Sequence, residues 1–116
     1  MEDIRKRVVS VSLESIINTC NACLSELKIN SLERNKLPDI ALKHLKIMNE
    51  IILCHQLICI DETICGLKCL IDNFIKDVQN MNTIVNDEHF NDYVYYKDNL
   101  FTIRLLATNI KTLRYN

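Results

Sequence analysis

Apolar residues recur at alternating spacings of three and four along most of the chain, a pattern typical of amphipathic helices. The first series runs through Val9, Leu13, Ile16, Cys20, Cys23 and Leu27. Asp3 is a suitable N-cap ahead of this series, and Asn30 is a suitable left-handed stop after it. The pattern therefore predicts a first helix over about residues 3–29, followed by a polar connector.

The second helix differs from the first in being apolar on more than one side. It is predicted to begin at Pro38, because proline suits the first helical turn, and to end near residue 60. One stripe comprises Ala41, Leu45, Met48, Ile52, His55 and Cys59, and a second comprises Ile47, Ile51, Cys54 and Ile58. A helix that is apolar nearly all round is expected to be surrounded by protein.

Two further series complete the chain. The third runs through Ile60, Ile64, Leu67, Ile71, Phe74, Val78, Met81 and Val85, and predicts a helix over residues 63–85. The fourth runs through Tyr93, Tyr96, Leu100, Ile103, Ala107 and Ile110. Asn86 is a good cap for it, so a fourth helix is predicted over residues 87–114.

These helices predict an all-α fold in one domain, residues 1–116, arranged as an antiparallel four-helix bundle with heptad-type seams. A single glycine and a single proline leave few of the tight turns that sheets need. One alternative stays open, because only residues 61–63 interrupt the apolar pattern between the second and third helices. Residues 38–85 could then form one rod of about 70 Å. We favour a bend, since a hairpin covers the apolar second helix.

Charge and cysteine content narrow the classes of function. Fourteen basic residues nearly balance fifteen acidic ones, so a nucleic-acid partner is not expected. The apolar stretch behind Arg5, Lys6 and Arg7 is too broken for a signal peptide, and residues 51–60 are too few to span a bilayer. We therefore expect no membrane span and an intracellular location, cytoplasmic or nuclear, with six reduced cysteines. The composition favours codons of an AT-rich genome and is compatible with a virus-encoded protein.

One group of cysteines lies around the predicted bend. A hairpin centred on residue 62 would bring His55, Cys59, Cys65 and Cys69 face to face, and three thiolates with one imidazole are a common zinc set. The spacing matches no short zinc motif, so we assign no metal and no cofactor.

The other cysteines and histidines carry no such pattern. Cys20 and Cys23 form a CxxC pair, but they lie on the core seam of a helix, where cysteines usually serve as packing residues. His44 and His89 have no partner at the spacing of a metal site or a catalytic base. We expect both histidines to be surface residues or to be satisfied by ordinary hydrogen bonds.

The aromatic residues are concentrated in the fourth helix. Tyr93 and Tyr96 fit its inward stripe, which leaves Phe90 and Tyr95 to point elsewhere. Amphipathic rings at a polar rim suit a protein interface. Phe90, Tyr93, Tyr95 and Tyr96 are therefore the candidate partner-binding residues, although such rings also fill ordinary cores.

The sequence carries no specific catalytic signature, and its apolar seams exceed what a small interior readily encloses. We therefore expect no enzyme but a protein–protein interaction module: an adaptor, scaffold or regulatory subunit. Its partner would be a second copy of itself, an amphipathic helix of another protein, or both. One alternative is a secreted four-helix signalling ligand with disulfides. Another is a small Cys/His metal-binding or redox protein.

Overall fold

A computed structural model describes residues 4–81 and 93–115, and all of its regular structure is helical in these ranges. Five helices are present there: α1 (Ile4–Ile29), α2 (Leu37–Cys54), α3 (Leu57–Ile60), α4 (Ile64–Met81) and α5 (Tyr93–Tyr115), with a short 3₁₀ turn at Arg34–Lys36 before α2. The all-α prediction is confirmed. The predicted N-cap Asp3 and the predicted residues 82–92 of the third and fourth helices lie outside the described residues.

The four long helices form an up-down-up-down bundle. Contacts between α1 and α5 join Asn21 to Arg104 and Glu14 to Lys111, so the two helices run in opposite directions. Similar contacts join α1 to α2 and α2 to α4, again antiparallel, through the pairs Glu26–Lys43 and Asn49–Lys68. Helices α4 and α5 also pack together, so each long helix has two neighbours. The predicted antiparallel arrangement is confirmed.

The core follows the predicted seams closely. All six positions of the first series are fully buried, as are Leu67 and Ile71 of the third and Leu100 and Ala107 of the fourth. Cys20 and Met48 meet across the α1–α2 interface with their sulfur atoms 3.8 Å apart. Within the described ranges, every buried side-chain nitrogen or oxygen has a hydrogen-bond partner. The bundle is thus packed around one continuous apolar centre.

The chain bends between α2 and α4, as favoured, so the single rod over residues 38–85 is ruled out. The bend has two breaks where the sequence indicated one. α2 ends at Cys54, earlier than the predicted residue 60, because Gln56 adopts a left-handed conformation with φ of 50°. The second break lies at Asp61, whose backbone is extended. The short helix α3 lies between them and buries Leu57.

One helix, α1, is long and apolar enough to cross a bilayer when judged by length and composition alone. The sequence predicts no membrane-spanning segment, because polar residues interrupt the apolar pattern of this helix. The observation is weak, since a core helix and a signal sequence pass the same test. In the bundle, α1 packs against both α2 and α5 through its buried face.

Candidate functional site

A groove with apolar walls runs across the outer surface of α1 and α2. On the α1 side it is lined by Ile4, Val8 and Val11, and beside them by Arg7, Ser12 and Ser15. Ile51 and His55 of α2 close this part of the groove, which has a volume of about 280 Å³. A second hollow of about 390 Å³ adjoins it and shares Ile51 and His55. We call these two hollows, which share Ile51 and His55, the α1–α2 groove.

The groove exists because the two apolar stripes of α2 have different environments. The stripe with Ala41, Leu45, Met48 and Ile52 is buried against α1 and α4, as expected. The described residues cover the other stripe only in part: Ile47 is 46% exposed, Cys54 is exposed and Ile51 is half-buried. The prediction that α2 is surrounded by protein is therefore wrong for this side, because the hairpin places α4 on only one face of α2.

Apolar side chains from α1 extend the uncovered surface. Ile4 is 73% exposed and Val11 is 60% exposed, although both belong to a helix with a fully buried seam. Both lie one helical turn from half-buried Val8, so the three form a line along the helix. Three exposed or half-exposed apolar side chains on one helix, beside two on the next, form a patch of the kind that marks interaction sites.

Charged groups border the groove unevenly. Lys46 and Glu50 flank Ile47 on α2, and Arg7 lies on the α1 side. Lys46 makes no ion pair with Glu50 or with another residue of the described chain, although the two are one turn apart. The Lys46 ammonium is therefore available to groups outside the chain.

Cys54 and His55 lie side by side in the groove, which raises the question of a nucleophile and its base. The Cys54 thiol donates a hydrogen bond to Glu50 Oε2 over 3.5 Å, and this contact raises the pKa of the thiol. Cysteine nucleophiles need the opposite shift, which a cationic neighbour supplies. The geometry of this pair therefore favours a lining role over a catalytic one.

The residues of the zinc hypothesis do not converge. His55, Cys59, Cys65 and Cys69 are all exposed, and the described ranges contain no group of three or more His, Cys, Asp or Glu side chains arranged to hold a metal ion. The two breaks in the bend explain this result, because the first falls between His55 and Cys59 and so disrupts one of the two pairs that a simple hairpin would have brought together.

The six cysteines are all free thiols, and they fall into two classes. Cys20 and Cys23 of the CxxC pair are fully buried on the α1 seam, as the packing interpretation predicts. Burial raises the pKa of each of these two thiols to about 12. The thiols of the second class face solvent and belong to Cys54, Cys59, Cys65 and Cys69.

The predicted partner-binding aromatics have mixed environments. Tyr96 is fully buried, where its ring packs against Phe74 and Tyr95, so its side chain belongs to the core and not to a contact surface. Tyr95 is half-buried and lies edge-on to Phe74, with 5.8 Å between ring centroids. Tyr93 is half-buried beneath the ammonium of Lys97. Phe90 lies outside the described residues.

A second exposed apolar stripe lies on α5 and was missed in the sequence. Val94, Phe101 and Leu105 are 48%, 41% and 61% exposed. Lys97 and Arg104 lie over the Phe101 ring, with the Arg104 guanidinium carbon 4.6 Å from the centroid. The spacing of seven and four residues is itself typical of a helix face, but the inward series of the same helix has the same period and more members.

A buried carboxylate ties the bend to the end of α5. The Asp61 side chain is 2% exposed and accepts hydrogen bonds from the Thr63 backbone and hydroxyl, from Arg114 Nε and from the Tyr115 hydroxyl. Burial disfavours the charged carboxylate, but the hydrogen bonds from Tyr115 and Thr63 and the charge of Arg114 outweigh this effect. They hold the pKa of Asp61 at about 2.

A hollow of about 430 Å³ lies next to this carboxylate at the same end of the bundle. Arg5, Lys6 and Arg114 line it together with Ile60, Leu113 and Tyr115. Because Arg114 is held by Asp61, the cluster is less basic than its three cations suggest. We assign this end of the bundle a structural role.

At the other end of the α1–α2 interface, His44 is satisfied by a hydrogen bond, as predicted. Its Nε2 donates to Glu26 Oε1 over 2.9 Å, and Lys43 reaches the same carboxylate. The hydrogen bonds from His44 and Lys43 lower the pKa of Glu26. The other histidine without a predicted partner, His89, lies outside the described residues.

Comparison of the chain with protein-family models, with curated proteins and with solved structures found no match. A functional proposal for this chain therefore depends on the geometry of the molecule itself.

Proposed function

We propose that this chain is a non-catalytic protein–protein interaction module, an adaptor, scaffold or regulatory subunit, that binds an amphipathic helix of another protein. The observation that carries the proposal is the α1–α2 groove. Its two adjoining hollows follow the direction of α2 and expose aliphatic side chains at Val11 and Ile47 that the bundle leaves uncovered.

The shape and chemistry of the groove suit a helix. Helix-in-groove recognition uses anchors at positions i, i+3 or i+4, and i+7 of the ligand, which insert into apolar hollows spaced along a cleft. Two hollows that meet at Ile51 and His55 supply successive positions for such anchors. Arg7 and Lys46 at the rim favour a ligand helix with acidic residues beside its apolar face.

The proposal is tested with a displayed library of helical peptides. Binders are selected on the wild-type chain alone, and their affinities for the wild type and the variants are measured by fluorescence polarisation. We expect micromolar binders with an i, i+4, i+7 apolar pattern, which bind the Val11→Arg and Ile47→Arg variants at least about tenfold more weakly.

The matched control is Leu32→Arg, which introduces the same charge at an apolar side chain that is 95% exposed in the connector before α2. This variant is expected to bind the selected peptides as the wild type does. A library that yields no binder, or binders insensitive to Val11→Arg and Ile47→Arg, would contradict the proposal.

A further inference from the structure

We propose that the exposed stripe of α5, formed by Val94, Phe101 and Leu105, pairs with the same stripe of a second copy of this chain in a parallel, two-fold-symmetric dimer. The inference rests on the proposed function, since it names one partner of an interaction module. It uses a different face of the bundle from the α1–α2 groove.

The stripe has the spacing of a helix–helix interface. Residues 94, 101 and 105 are separated by seven and four positions, which places them in one line along α5. Thr108 and Thr112 continue the line towards the end of the helix. The helix therefore carries two heptad-type seams, one facing the core and one facing outward, and among the described residues of α5 the inward seam is the one that is buried.

The extent of the face is sufficient for a specific dimer. α5 has 23 residues, which corresponds to a length of roughly 34 Å. The bundle is about 20 Å across its narrowest dimension, so the face centred on α5 projects roughly 700 Å². Stable interfaces bury about 800 Å² on each partner. Pairing over the full width of this face therefore approaches the area of a stable interface.

The two flanks of the stripe carry opposite charge. Lys97 and Arg104 are seven residues apart and both lie over the Phe101 ring, on the flank where Arg104 donates to Asn21 of α1. Asp98 lies on the opposite flank, towards the side of the helix where Tyr95 packs against Phe74 of α4. One flank is therefore basic and faces the α1 side, and the other is acidic and faces the α4 side.

This distribution selects the parallel arrangement. In an antiparallel pair related by a two-fold axis, each flank meets its own counterpart, so Lys97 and Arg104 would face the same cations of the second copy. In a parallel pair, opposite flanks meet, and Asp98 lies level with Lys97 of the second copy. Like charges across an interface oppose association and opposite charges favour it, so the parallel pair is preferred.

Asp98 has no ion-pair partner in the described part of the chain. Lys97 contacts the rings of Tyr93 and Phe101 there and makes no ion pair. Two symmetry-related Asp98–Lys97 pairs would therefore form without breaking an ion pair inside either copy. They would flank the Phe101 rings, which lie close to the two-fold axis.

The inference is tested by mass measurement with charge-swapped variants. Sedimentation equilibrium of the wild-type chain is expected to give twice the chain mass of 13.5 kDa. Asp98→Lys places lysine opposite lysine, and Lys97→Glu places glutamate opposite aspartate, so each variant alone should dissociate at least about tenfold more readily. In an equal mixture of the two variants, the introduced lysine of one copy faces the introduced glutamate of the other, and the remaining native Lys97 faces the remaining native Asp98. The mixture should therefore give a heterodimer of nearly wild-type affinity.

The mixture also protects the test against misfolding, because a variant that had lost its fold could not restore the dimer. Phe101→Ser should weaken the dimer. Leu32→Ser changes an exposed side chain in the connector between α1 and α2, outside the α5 stripe, and should leave the dimer intact. A wild-type chain that is monomeric at every concentration would overturn the inference. So would a dimer insensitive to Phe101→Ser, or one that Lys97→Glu strengthens, since that result indicates antiparallel pairing.

Failure here is distinguishable from failure of the proposed function. The Val11→Arg variant should lose peptide binding in the groove while keeping the dimer mass. The Phe101→Ser variant should lose the dimer while keeping peptide binding.

Discussion

Asp61→Asn is expected to destabilise the bundle by about 2 kcal/mol, because the substitution removes a buried negative charge that four donors surround. The asparagine oxygen can still accept from Thr63, which contributes two of the hydrogen bonds. Its amide group would instead face the donors of Arg114 and Tyr115. Hydrogen bonds to charged groups contribute about 1.5–3 kcal/mol each. Arg114 is half exposed, so solvent screening reduces its share below this range.

The pH dependence supplies a second measure of the same interaction. The pKa of Asp61 is lowered from 3.8 to about 2 in the folded chain, so the folded state favours the charged carboxylate. Each pKa unit corresponds to about 1.4 kcal/mol, so this shift of nearly two units gives about 2–3 kcal/mol before the screening of Arg114 is considered. This stabilisation is complete above the unfolded pKa of 3.8 and is lost as the pH falls towards 2.

Urea unfolding followed by circular dichroism measures both effects. The wild type should lose the Asp61 contribution between about pH 5 and about pH 2, whereas Asp61→Asn should be weaker at about pH 7 and should approach the wild type at low pH. Asp72→Asn is the matched control, since Asp72 is 41% exposed in a one-turn pair with Lys68 and should cost less than about 0.5 kcal/mol. Equal stability of Asp61→Asn and the wild type at neutral pH would refute the reasoning.

Three further predictions concern the thiols, the core and the α1–α2 contact. A thiol reagent should modify four cysteines rapidly in the native chain and all six in denaturant, because only Cys20 and Cys23 are buried; rapid reaction of all six before unfolding would contradict the core assignment. Leu13→Ala should lower the free energy of unfolding by about 2–5 kcal/mol, because Leu13 is fully buried. Leu32→Ala, at a side chain that is 95% exposed, should change it by less than about 0.5 kcal/mol, and similar losses for both variants in calorimetry would contradict the core assignment. Glu26→Gln should lower the melting temperature at about pH 7 more than at about pH 3. The reason is that His44 and Lys43 lower the pKa of Glu26, and this stabilisation is lost as the carboxylate protonates. An effect of the substitution that does not depend on pH would contradict the contact.

The helices and their inward faces could be predicted from the sequence because periodicity reports burial directly. Val9, Ile16, Leu67 and Leu100 lie in the core, together with most of the described residues on the same seams. The single proline also marked the start of α2 correctly. These features depend on local spacing alone, and the chain contains few residues that interrupt it.

The bend and the surface were harder to predict because they depend on tertiary contacts. Gln56 adopts a left-handed conformation, although this conformation is usually signalled in a sequence by glycine or asparagine. In the sequence, Asp61 is only an interruption of the apolar pattern. In the fold, its carboxylate accepts hydrogen bonds from Arg114 and Tyr115, more than fifty positions away. The exposed side of α2 at Ile47 follows from where α4 packs, and periodicity does not supply that information.

The sequence predicts surplus apolar surface, but periodicity does not show where on the bundle that surface lies. Surplus apolar surface was expected from the two stripes of α2, and one of those stripes, with Ile47 and Ile51, lines the groove. The sequence predicts the tyrosines of α5 as partner-binding residues, whereas the structure places the Tyr96 side chain in the core. An aromatic-rich helix predicts an interface no better than it predicts a core, because both environments favour large rings.

Nuclear magnetic resonance titration of the chain with a selected helical peptide tests the central claim most directly. The account predicts that the largest backbone shift changes fall on residues 4–15 and 46–55, with those at Leu32 unchanged, and that Val11→Arg abolishes them. Peptide-induced changes spread over the whole bundle, or centred away from both segments, would contradict it.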